Sequence, residues 1–186
     1  MPLVKLRYNY GILSLDNTKT TEQVSQICSD EATGCFHHNF GRFALRATRK
    51  VVDIGGKSCI IPQILLEADF SGEVIYIANE NDSCRTRAVL RHELQHFTIW
   101  KTAVENWLNE TAVELKRLAL QDVQDCNQKR CLFDIQDKSW QAATELNKKW
   151  SRISEMNNLR LDEVDHDNKA EFARAVCVPY SLKFYQ

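Results

Sequence analysis

No apolar run in the chain approaches the roughly 20 residues that a helix needs to cross a bilayer, so no membrane-spanning helix is expected. No long basic stretch occurs, and the formal net charge is −1, so the linear sequence offers no electrostatic footprint for nucleic acid. No CxxC pair is present among the seven cysteines, which argues against a cysteine zinc knuckle. Internal repeats and low-complexity linkers are absent, and 186 residues suit one domain with a real core. The opening residues, Met1 to Tyr8, lack the basic segment and apolar core of a signal peptide. A mature chain whose signal had been removed would look the same.

The cysteines bear on the compartment. Cys28 and Cys35 bracket a short polar loop, as do Cys126 and Cys131, and such spacings suit small disulfide loops. Cys59 and Cys84 could form a third bridge, leaving Cys177 over. Buried thiols in a reduced protein are the alternative. The disulfide reading implies an oxidising setting.

Hydrophobic period divides the chain into strands first and helices second. Val4 to Leu15 alternates as a strand, and Thr20 to Glu31 reads as a short helix capped by Thr20 or Thr21. Gly34 to Gly41, with His37 and His38, reads as a loop. Phe43 to Ile54 and Ser58 to Phe70 are strands joined by a Gly55-Gly56 hairpin turn, and Pro62 makes part of the second an edge or a bulge. Glu73 to Ala78 is a further strand and the candidate for an exposed edge on which an extended peptide could add. Helical spacing then runs from Ser83 to about Leu120, with a bend expected near Asn106 to Asn109. A second helical run covers Asp137 to Asn158, with Trp140, Ala143, Leu146, Trp150 and Ile153 as its inner stripe. A short helix is expected from Ala170 to Val176. The fold class is therefore α+β: an N-terminal, mostly antiparallel β-sheet (about residues 1–80) followed by a helical part (about residues 83–176).

One motif carries most of the functional information. Residues 92 to 96 read HExxH, inside a segment from Arg85 to Phe97 that contains no Gly or Pro. Positions i and i+4 share a helix face, so His92 and His96 can aim both imidazoles at one metal ion. Glu93, about 100° round the helix, is placed to take a proton from an activated water. The bland reading is an amphipathic helix with two ordinary histidines.

Catalytic zinc usually takes three protein ligands. The extended HExxHxxGxxH form is excluded because Ile99 and Thr102 occupy its Gly and His positions. Glu105, Glu110 and Glu114 follow, and Asn109-Glu110 is similar to the Asn-Glu pair of thermolysin-like enzymes. On an unbroken helix, however, Glu110 would lie about four turns beyond His96 and could not reach the ion. His37, His38 and His166 are the other histidines. His166, flanked by Asp162 and Asp165, reads on its own as a solvated histidine in an acidic turn, or as a ligand oriented by those carboxylates.

The order Arg91 to His96, then Cys126, then Leu161 to His166, resembles a bacterial family of predicted secreted zinc-dependent proteases, a zincin-like HExxH domain of unknown function. The resemblance spans roughly residues 4 to 170. Leu161, Val164 and Asp167 depart from that family's Tyr, Thr and Gly. It implies a single zincin-like domain, residues 1–186, in a periplasmic or secreted protein, and makes His166 the third ligand beside His92 and His96. The expected activity is zinc-dependent peptide hydrolysis of a peptide or protein substrate, with Zn²⁺ as cofactor and Glu93 as general base. Arg91 and Tyr180 are possible oxyanion donors. The competing class is a non-catalytic, metal-containing binding or assembly module. Substrate preference and oligomeric state are not encoded in any local pattern.

Overall fold

The computed structural model describes residues 3–28, 32–38, 42–54, 56–79, 83–122 and 130–177; at residues 3, 54, 57–59, 122, 130–133 and 165–177 it describes the backbone alone. Strands β1 (Leu3–Tyr10) and β2 (Ser14–Asp16) precede helix α1 (Thr21–Cys28). Strands β3 (Gly34–His37), β4 (Arg42–Ile54), β5 (Lys57–Phe70) and β6 (Val74–Ile77) follow, then helices α2 (Ser83–Asp122) and α3 (Arg130–Cys177). The class is α+β, with strands leading and long helices closing the chain. Among the described residues the strands form two three-stranded sheets, ordered β1-β5-β4 and β2-β6-β3. Each central strand has one parallel and one antiparallel neighbour.

The backbone divides into two compact units, each assembled from separate stretches of chain. The first comprises Met1–Gly11, Asn39–Ser71 and Thr102–Ile153. Its β5 buries Ile64, Leu66, Ala68 and Phe70 on one face, while Gln63, Leu65, Glu67 and Asp69 alternate onto the other. Phe70 meets Trp107 of α2 edge-on at 5.8 Å, and Trp107 donates its indole N–H to the Ala143 carbonyl of α3 at 3.0 Å. Full burial of each large apolar side chain contributes about 1.5–3 kcal/mol. Among the described residues Pro62 falls just outside the β1 pairing, which starts at Gln63, and pairs with Arg49 of β4. Gly56, at φ 79°, supplies the left-handed turn between β4 and β5.

The second unit comprises Ile12–His38, Gly72–Lys101 and Ser154–Gln186. Thr20 and Gln23 form a reciprocal capping box at the start of α1: the Thr20 hydroxyl accepts from the Gln23 N–H, and the Gln23 side chain accepts from the Thr20 N–H. A disulfide between Cys28 and Cys35 ties the end of α1 to β3 across a Cα separation of 5.9 Å.

Several elements differ from the periodicity reading. The first strand is two strands, because Gly11 to Leu13 passes from one sheet to the other. The segment read as a loop from Gly34 contains β3, too short for a period to show. Strand β6 is central rather than an edge, flanked by β2 and β3. Helix α2 is continuous through Asn106 to Asn109, and α3 runs on through the supposed acidic turn, for neither helix contains Gly or Pro. Trp140, placed on the inner stripe, is 45% exposed and lies against Phe43 at 4.9 Å.

Candidate metal centre

The HExxH residues lie in the part of α2 that belongs to the second unit. His92 and His96 share a helix face as their spacing requires, with Nε2 atoms 2.8 Å apart and rings at 85°. From α3, Asp162 brings Oδ1 to 3.2 Å from His92 Nε2 and 3.1 Å from His96 Nε2. In a tetrahedral zinc site with bonds of about 2.0–2.1 Å, neighbouring donor atoms stand roughly 3.3 Å apart. Two imidazole nitrogens and a carboxylate oxygen at these spacings fit one small cation. Asp162 is half exposed, so the group opens toward solvent on that side.

Asn158 lies one turn before Asp162 on the same face of α3. Its Oδ1 is 3.0 Å from His96 Nδ1. With the proton assigned to Nδ1, His96 donates to Asn158 and keeps its Nε2 lone pair toward the other donors. The ring is thereby fixed in a metal-binding tautomer.

Glu93 lies beside this group on the helix, about 100° round from His92, and is buried in the unit. It is 5% exposed, and burial pushes its pKa up to about 7, against the lowering influence of His96 and of the Phe36 N–H, which donates to its carboxylate. The nearby Asp162 charge adds to the rise. A bound cation would favour the carboxylate form. The helix comes this close to the sheet because residue 34 is glycine. A Cβ there would overlap the Val89 side chain, stand 3.1 Å from the Tyr76 carbonyl oxygen and meet Glu93 Cγ at 3.6 Å.

Aromatic rings clamp the same junction. Phe36 of β3 packs edge-on against Phe97 at 5.5 Å and Trp100 at 5.8 Å, both on α2. His38 stacks on Phe36 at 5.2 Å and lies 5.9 Å from Trp100, one helical turn beyond His96. Burial, with the charges of His37 and His96, lowers the His38 pKa to about 4. Its Nδ1 is buried without a hydrogen-bond partner among the described residues.

The structure thus brings together His92, His96 and Glu93 as their spacing demands. Asp162, read from the sequence as an orienting carboxylate, itself meets both histidine nitrogens. The signal that could have found it was the continuing inner face of α3, through Ser154 and Asn158 to 162. His166 follows four residues on in α3, and its side chain lies outside the described residues. Glu110, the alternative ligand, is held by Lys149 at 2.8 and 3.0 Å. Arg91 is exposed on α2, and Tyr180 lies outside the described residues. Of the cysteine pairings, Cys28 with Cys35 is formed; Cys84 is disulfide-bonded, whereas Cys126 and the side chains of Cys59, Cys131 and Cys177 lie outside the described residues. No helix among the described residues is long and apolar enough to cross a membrane. Compared with protein-family models, curated proteins and solved structures, the chain matches none.

Proposed function

We propose that this protein is a zinc-dependent peptidase, held in the second unit by His92, His96 and Asp162 as metal donors with Glu93 as general base. The observation that carries the reading is the convergence of His92 Nε2, His96 Nε2 and Asp162 Oδ1, with the motif glutamate buried beside them against β3. When bound, zinc supplies a Lewis acid that polarises a scissile carbonyl and acidifies the attacking water.

The remaining chemistry belongs to the chain. Glu93 takes the proton of the attacking water and passes it to the leaving amine nitrogen. The Phe36 N–H holds the carboxylate in place, and Asn158 holds the His96 ring. Strand β3 lies at the edge of its sheet among the described residues, beside Glu93. An extended peptide would add there, rather than on β6, and present its backbone to the metal-binding helix. The Cys28–Cys35 bridge favours an oxidising compartment, periplasmic or secreted.

The test is hydrolysis of fluorescein-labelled casein by zinc-loaded wild type and Glu93→Gln. The variant should retain its zinc and lose about 10²–10⁴-fold in rate. Hydrolysis undiminished in the variant removes Glu93 from its role. A zinc-loaded wild type that cleaves no peptide at all favours the non-catalytic binding module.

A further inference from the structure

We propose that the outer face of the β1-β5-β4 sheet is a docking surface for an acidic polysaccharide. This surface belongs to the first unit and is independent of the metal centre. The chain as a whole carries a formal charge of −1, yet strand alternation sorts cations onto this one face. Odd positions of β1 place Lys5 and Arg7 outward, and even positions of β4 place Arg42, Arg46 and Lys50 outward, all exposed. Against these five cations stand two carboxylates of β5, Glu67 and Asp69. Glu67 is paired with Arg7 at 3.4 Å. Asp69 is held below the usual carboxylate range by Ser71 first, then by Asn9 and Arg42. Among the described residues, no carboxylate is paired with Lys5, Arg46 or Lys50.

The register gives these charges a regular spacing. Lys5 and Arg46 flank Leu65 from its two sides, and Lys50 lies opposite Ile61. Adjacent strands stand about 4.8 Å apart, so the Lys5 and Arg46 backbones are roughly 10 Å apart across the sheet, with Lys5 and Arg7 about 6.7 Å apart along it. Between them is a recess of about 320 Å³, lined by Lys5, Arg7, Arg46, Thr48, Gln63 and Leu65. The Thr48 hydroxyl and the Gln63 amide both donate and accept, as sugar hydroxyls require, while the cations meet the acidic groups. Among its described residues this face has no aromatic ring on which a nucleic-acid base could stack. Among the same described residues it has no exposed large apolar side chain to enter a lipid layer.

Heparin serves as the probe, with binding measured against rising salt for wild type and two charge-matched triple variants. Lys5→Gln/Arg46→Gln/Lys50→Gln removes cations from the sheet face. Lys116→Gln/Lys138→Gln/Arg152→Gln removes as many exposed cations from the helices. Far-UV circular dichroism checks that all three proteins are folded. The sheet variant should lose at least about tenfold in affinity and show a shallower salt dependence, and the helix variant should bind like wild type. Equal loss in both variants, no binding by wild type, or tighter binding of single-stranded DNA or anionic vesicles than of heparin would overturn the proposal.

Discussion

Burial moves two side chains of the second unit in opposite directions, because it opposes charge whatever its sign. Glu93 is pushed up to about 7 and His38 down to about 4. Each shift links proton binding to stability. For His38 the folded-state value lies below the unfolded one. Its contribution is therefore present above about 6.5 and lost as the pH falls toward about 4. For Glu93 the folded-state value is raised, so metal-free protein gains stability from this group as the pH falls through the same region. That gain is common to wild type and His38→Gln, so the difference between them isolates the histidine. In urea unfolding of chelator-treated protein, wild type should lose more stability between about pH 7 and pH 5 than His38→Gln does. Parallel losses would show that the ring is not kept neutral by its surroundings.

At the scale of elements, the approach of α2 to β3 rests on one missing methyl group. Gly34→Ala would drive a Cβ into Val89, a side chain with little freedom at χ1, and toward the Tyr76 carbonyl. We expect a loss of about 1–3 kcal/mol in unfolding free energy, partly restored by adding Val89→Ala. A neutral Gly34→Ala would mean that the strand and helix are less tightly fitted. The same junction explains what could be read without coordinates. The HExxH face was legible because its geometry is local, set by a spacing of four residues on one helix. Strand β3 was not, since Gly34 to His37 is too short to show a period and is recognised only by its pairing with β6. Asp162 was seen as a nearby carboxylate but not as a donor, because nothing local encodes which α3 residue faces His96. The basic sheet face was hidden in the same way: Lys5 and Arg46 lie far apart in sequence and become neighbours only across β5.

At the scale of the whole molecule, two compact units share the same two long helices in sequence, and the His92, His96 and Asp162 group belongs to one of them. A ligand that binds only the folded site stabilises it by mass action, about 4 kcal/mol at a thousandfold excess over Kd. Zinc should therefore raise the thermal midpoint of chelator-treated wild type, and where the units melt separately the second unit's transition should move. An unmoved melting curve at saturating zinc would count against a folded-state site. The most direct measurement is the zinc content, by elemental analysis, of wild type and Asp162→Ala after stripping, reloading and desalting, with His166→Ala beside them. The three-donor centre predicts about one zinc per chain in wild type and a large loss in Asp162→Ala. Wild type that takes up no zinc, or Asp162→Ala that keeps it in full, would contradict it.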